Sequence, residues 1–163
     1  MIFKKHNSDL YNTLLTLSRN LFFYKKIELS DNFETRLYLI FIHLSIMMIV
    51  YKNKGKKFEQ DFYDSLFHNI ENNLRESGLG DVSVNKKMKE FNKIFYDILL
   101  KINKNDETNF SVSFKLISSY FPSLDDQNNL KFLEFKKYFN NFYKFCFGLP
   151  LDIMIDKVIN FKG

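Results

Sequence analysis

Arginine, alanine and tryptophan are scarce or missing in this chain: three arginines stand against 21 lysines, and no alanine or tryptophan occurs in 163 residues. An AT-rich genome produces that bias, so the abundance of Lys, Asn and Phe carries little functional information. Arg19, Arg36 and Arg75 persist against the drift, and their planar forks of donors are what lysine cannot replace. The lone cysteine, Cys146, excludes an intramolecular disulfide and predicts a reducing compartment. Set among aromatics in "YKFCFG", it reads as a buried, inert thiol. His6, His43 and His68 lie far apart and match no ligand spacing, so no metal is assigned.

Two more absences bound the class. The N-terminal stretch "MIFKKHNSDLYNTLL" has neither the apolar run and cleavage site of a signal peptide nor an Arg-rich transit character. The most membrane-like segment, Leu37 to Tyr51, offers fifteen uncharged residues between Arg36 and Lys52, whereas a bilayer needs roughly 20 apolar ones. It therefore reads as a central core helix covered on every side.

What is present suffices for one core. Hydrophobic residues make up 45% of the chain, with 20 Phe and 9 Tyr, and residues 1–163 are expected to form a single domain. Apolar residues recur at helical spacing almost throughout, and no stretch shows the two-residue alternation of strands. The expected fold is all-α, six to eight helices around the buried Leu37–Tyr51 segment. A first helix starts near Ser8 with Leu10, Leu14, Leu17 and Leu21 on one stripe. Ser30 or Asp31 caps the central helix. A third helix over about 56–76 turns Phe58, Phe62, Leu66, Ile70 and Leu74 inward, widened by Tyr63 and Phe67, and ends at Gly78. Asp81 or Ser83 then caps a fourth helix to about Asn103, with Val84, Met88, Phe91, Phe95, Ile98 and Ile102 inside and Lys86, Lys89, Lys93 and Lys104 outside. After the polar "NKNDET" connection, further helices are expected over about 109–120 and 125–146, and a turn and terminal helix in "GLPLDIMIDKVINF".

Catalytic chemistry finds little support. "GLGDVSVNK" lacks the third glycine of a dinucleotide fingerprint and the ending of a phosphate-binding loop, and no strand precedes it. Cys146 and His43 sit in apolar runs, where His43 reads as a hydrogen-bonded core histidine. Glu59, Asp61 and Asp64 fall on the solvated side of the third helix. The basic surface is the stronger signal: net charge is +5, and Lys52, Lys54, Lys56 and Lys57 cluster, with Lys89 and Lys93 on the fourth helix. Such patches attract anionic lipid heads or RNA phosphates, and equally serve as a solvated face.

The stretch "NLRESGLGDVSVNKKMKEFNKIFYDIL" resembles the signature of the ubiquinol-cytochrome c chaperone family through Leu74, Arg75, Glu76, Gly78, Gly80, Asp81, Val84, Lys86, Lys89, Phe95 and Tyr96. Upstream, "LSRNLFFYKKIELSDNFETRLYLIFIHL" is similar to a second family block through Arg19, Asn20, Tyr24, Asp31, Arg36 and His43. The resemblance is strongest over residues 10–103. Ser77, Asn85, Thr35 and the "DI" after Tyr96 depart from the family's usual Met, Pro, Gly and Gly-Arg.

The resemblance implies a non-enzymatic, all-helical assembly chaperone for cytochrome b of respiratory complex III, with no cofactor and no small-molecule substrate. Its expected partners are cytochrome b or another complex III subunit, with a second assembly factor, the ribosome or an anionic membrane surface as further candidates. The expected location is cytoplasmic and peripheral to the inner membrane in a bacterial, alphaproteobacterial-type source, or the matrix side of the mitochondrial inner membrane in a eukaryote. Arg75, Glu76, Gly78, Gly80, Asp81 and Lys86 are the partner-binding candidates, although the same loop can be purely structural, with Arg75 and Asp81 expected to fix it by hydrogen bonds or an ion pair. Lys52, Lys54, Lys56, Lys57, Lys89 and Lys93 are the membrane- or RNA-facing ones. The alternative is a peripheral lipid- or RNA-binding helical module without a chaperone role.

Overall fold

The computed structural model describes the backbone of residues 2–103 and 110–163, and the side chains of 10–102 and 110–163. Apolar residues at helical spacing wind the described residues into seven α-helices: α1 (Ile2–Ser18), α2 (Phe33–Asn53), α3 (Gln60–Glu76), α4 (Asp81–Asn103), α5 (Phe114–Tyr120), α6 (Leu130–Phe147) and α7 (Leu151–Lys157). A π-helical turn at Phe22–Lys26 follows α1, and a 3₁₀ turn at Val158–Asn160 follows α7. No strand occurs among the described residues, as the periodicity predicts.

The central helix is α2. Every residue from Leu39 to Met47 is buried, because α1, α4 and α6 pack around it. It is the one helix among the described residues long and apolar enough to cross a membrane, yet its apolar surface is spent on its neighbours. Phe41 of α2, Phe67 of α3 and Phe95 of α4 meet with ring centroids 5.4 to 5.8 Å apart. Offset and edge-to-face contacts at that range add about 0.5–1.5 kcal/mol per pair beyond burial. The buried cluster is continuous from Leu10 to Phe161.

The inward stripes of α3 and α4 lie where their spacing places them. Phe62, Leu66, Ile70 and Leu74 are buried, with Phe58 just ahead of α3, and Val84, Phe91, Phe95, Ile98 and Ile102 are buried in α4. Tyr63 is half-buried and donates its hydroxyl to Asn92 Oδ1 at 2.9 Å.

Helix boundaries differ from expectation where a competing local bond intervenes. Helix α1 begins at Ile2, so Ser8 lies within it rather than at its start. It ends at Ser18, and Asn20 Oδ1 then accepts from the Phe22 N–H at 3.0 Å, turning the chain. Leu21 therefore leaves the α1 stripe and is 62% exposed, while Phe23 is fully buried. The cap of α2 is Asn32, whose Oδ1 accepts from the Thr35 N–H at 2.9 Å. Asp31, one of the expected caps, accepts instead from Arg36 Nη1 at 2.5 Å. Helix α3 starts at Gln60 rather than 56. Helix α4 starts at Asp81, with the Gly80 carbonyl accepting from the Val84 N–H at 3.0 Å, so Asp81 and Ser83 occupy its first turn and do not cap it. Asp81 still places negative charge against the positive end of the helix dipole.

Helix α5 begins later than expected, under a Ser113 hydroxyl that accepts from the Leu116 N–H at 3.1 Å. Helix α6 begins at Leu130 rather than 125, because Asp126 turns back onto the Asn128 N–H at 2.9 Å and Asn129 caps at Lys131 at 2.8 Å. Lys104 and the rest of the connection to residue 109 lie outside the described residues.

Candidate partner-binding site

The reversal between α3 and α4 is a Schellman turn. The Leu79 N–H reaches the Leu74 carbonyl at 3.4 Å and the Gly78 N–H reaches Arg75 at 3.0 Å, which satisfies carbonyls that the ending helix leaves without partners. Gly78 carries φ +96°, a region that residues with a Cβ seldom enter. Ser77 Oγ adds a bond to the Leu74 carbonyl at 2.6 Å.

Arg75 locks this reversal from outside. Its guanidinium bonds Asp81 Oδ1 through Nη1 and Glu71 Oε1 through Nη2, the latter at 3.2 Å. The Asp81 bond, then the Glu71 bond, hold Arg75 even more firmly protonated than usual. Asp81 restarts the chain as α4, so one arginine ties the end of α3 to the start of α4. The sequence reading of an Arg75–Asp81 ion pair is thus realised, while Glu71 was not singled out; its i,i+4 spacing to Arg75 was the available signal.

These groups face solvent. Arg75, Glu76, Gly78, Gly80 and Asp81 are all exposed, and Val82 beside them is 84% exposed. Gly80 has no positive φ, and a Cβ added there would meet nothing within 4 Å. Nothing within the fold requires glycine at position 80. Lys86, Lys89 and Lys93 continue from Val82 at helical spacing along the exposed face of α4.

The other basic residues are brought together elsewhere. Lys52, Lys56 and Lys57 line an open cavity of about 460 Å³ at the α2–α3 turn, floored by Met48, Ile49, Phe58 and Leu99. Lys54 is diverted: its Nζ donates to the Leu149 carbonyl at 2.6 Å and lies 5.2 Å from the Phe147 ring centre, which secures the α6–α7 corner. This turn and the Gly78–Gly80 loop cap opposite ends of the 17-residue α3, about 25 Å apart at 1.5 Å per residue. The lysine face of α4 runs between them.

His43 and Cys146 are both fully buried. Burial pushes the Cys146 thiol up, against the opposing pull of Lys54, so the thiolate needed for nucleophilic chemistry is disfavoured. Among the described residues no three His, Cys, Asp or Glu side chains converge as metal ligands.

A family model described as Ubiquinol-cytochrome C chaperone matches residues 25–109, more than half of the chain. The span contains Arg36, His43 and the whole loop from Leu74 to Lys86; Arg19, Asn20 and Tyr24 precede it. No curated protein and no solved structure gives a match.

Proposed function

The chain belongs to the ubiquinol-cytochrome C chaperone family, and from that premise we propose that it assists cytochrome b during assembly of respiratory complex III, reading its partner through the α3–α4 loop. A chaperone's partner is a protein, here a client in respiratory-chain assembly; the work is binding, without chemistry of its own. Residues 1–163 act as one unit in this reading.

The carrying observation is the exposed, doubly braced Arg75. An arginine held on one side by Glu71 and Asp81 keeps a fixed orientation, and the open space at Gly80 lets a partner's backbone approach closely. Glu76, Gly78 and Lys86 complete the surface, with Val82 as an apolar contact. Another complex III subunit or a second assembly factor would engage the same surface.

At the far end of α3, Lys52, Lys56 and Lys57 form the side that approaches an anionic membrane or the ribosome, and Lys89 and Lys93 lead towards it. In this reading the protein works in the cytoplasm at the inner membrane of a bacterium, or on the matrix side in a eukaryote. The lysine-rimmed cavity also favours a second reading, a peripheral lipid- or RNA-binding module with no client.

Affinity capture from the native host with mass spectrometry tests the assignment. Complex III subunits should be recovered by the natural chain and depleted with Arg75→Lys. Recovery of lipids or RNA without those subunits would support the second reading.

A further inference from the structure

Two of the three arginines meet at one cavity that the α3–α4 loop does not include. Arg19, just beyond α1, and Arg36, in the first turn of α2, border a pocket of about 340 Å³, within the range of small-ligand sites. Its apolar wall includes Leu15, Ile40 and Ile70, from α1, α2 and α3, and its polar rim adds Tyr11 and Asn73.

The rim presents donors. Arg19 makes no ion pair among the described residues. Arg36 gives Nη1 to the well-exposed Asp31, leaving its other donors available. Asn73 Nδ2 donates to the Tyr11 hydroxyl oxygen, so the Tyr11 hydrogen remains to be donated in turn. Burial raises the Tyr11 phenol above its ordinary range and so keeps its hydrogen, although the Asn73 bond and the two arginines pull the other way and Glu76 adds to the rise. Donors above apolar side chains call for an acceptor anion joined to an apolar group. Glu76, one of the partner-binding candidates, follows Asn73 by three residues on α3 and so shares its side of the helix.

We propose that this pocket receives an acidic side chain of the client, an Asp or Glu held by Arg19 and Arg36 with its apolar neighbour against Leu15, Ile40 and Ile70. The inference rests on the chaperone reading for the existence of a protein client, and is independent of which client it is.

The test uses the purified full chain and fluorescence anisotropy with a labelled peptide containing Leu-Phe-Glu-Leu, against a twin with Gln in place of Glu. The Glu peptide should bind at least about tenfold tighter, as expected for charge-assisted bonds. Arg19→Gln should erase the preference with unchanged thermal melting, and Leu15→Trp, which fills the pocket, should weaken both peptides. Equal affinity for the twins, or a preference that survives Arg19→Gln, overturns the proposal. So does binding of laurate at this pocket while both peptides stay unbound, which would mark a lipid site. Failure of complex III capture with the peptide preference intact would overturn the client's identity and leave the pocket standing; the reverse pair of results would overturn the pocket alone.

Discussion

His43 Nε2 accepts the Tyr138 hydroxyl hydrogen at 2.9 Å, joining α2 to α6 across 95 positions of chain. The other ring nitrogen, Nδ1, stands 2.7 Å from the Leu39 carbonyl, which can only accept. The proton therefore sits on Nδ1 and the ring is neutral, its two nitrogens both satisfied. Phe139 and Phe142 lie edge-on to the imidazole at 4.9 Å. This bond ties the family-matched span, 25–109, to the C-terminal helices beyond it.

Burial lowers the His43 pKa from 6.5 to about 4, although the Leu39 carbonyl bond pulls the other way. The unfolded chain then binds the extra proton first, so this contribution is whole above about pH 6.5 and is lost as pH falls towards 4. The loss is roughly 3 kcal/mol. Urea unfolding at pH 7 and pH 4.5 should show it, and the double variant His43→Leu with Tyr138→Phe should lose less stability on acidification than the natural chain. Equal losses in the two proteins would refute the assignment.

Tyr138→Phe alone should be costly at neutral pH. It leaves the buried Nε2 without its donor, a penalty of about 1–3 kcal/mol, whereas removing both polar partners together costs less. Comparing single and double variants by urea titration gives the coupling directly.

The two loop glycines should behave differently. Gly78→Ala forces a Cβ into φ +96° and should cost about 1–3 kcal/mol. Gly80→Ala meets open space at an ordinary φ and should leave the melting temperature nearly unchanged. Any loss of partner capture by Gly80→Ala would then report on the interface and not on folding.

Arg75→Lys separates brace from contact. Its ion pairs are exposed and screened by solvent, so thermal unfolding should move little while capture of complex III subunits falls. A melting temperature lowered in proportion to lost capture would make the loop purely structural.

Among the clustered lysines, Lys54→Met should lower stability by about 1 kcal/mol through the lost bond to Leu149 and leave binding to anionic vesicles intact. Reversing Lys52, Lys56 and Lys57 to Glu should do the opposite: unchanged melting and lost co-sedimentation. Unaltered vesicle binding in the triple variant would mean that these lysines are only a solvated face.

The fold class, the buried α2, the inward stripes of α3 and α4, and the Gly78 reversal were all legible in the sequence. Each depends on residues a few positions apart, whose spacing or backbone freedom acts locally: Phe62, Leu66, Ile70 and Leu74 share a face at any tertiary arrangement. Arg75 with Asp81 was legible for the same reason, six residues apart across one turn. Helix starts were not, because several short polar side chains compete for the same orphan N–H groups, and only the approach of the chain selected Asn32 over Ser30 and Asp31, or Asn129 over Asp126. Nor could composition tell that Lys54 would reach Leu149 while Lys52, Lys56 and Lys57 stayed around a cavity. That Arg19 and Arg36 border one pocket, and that His43 meets Tyr138, was decided by the tertiary structure. Those arrangements join separate elements, and periodicity says which side of a helix is apolar but not which neighbour covers it.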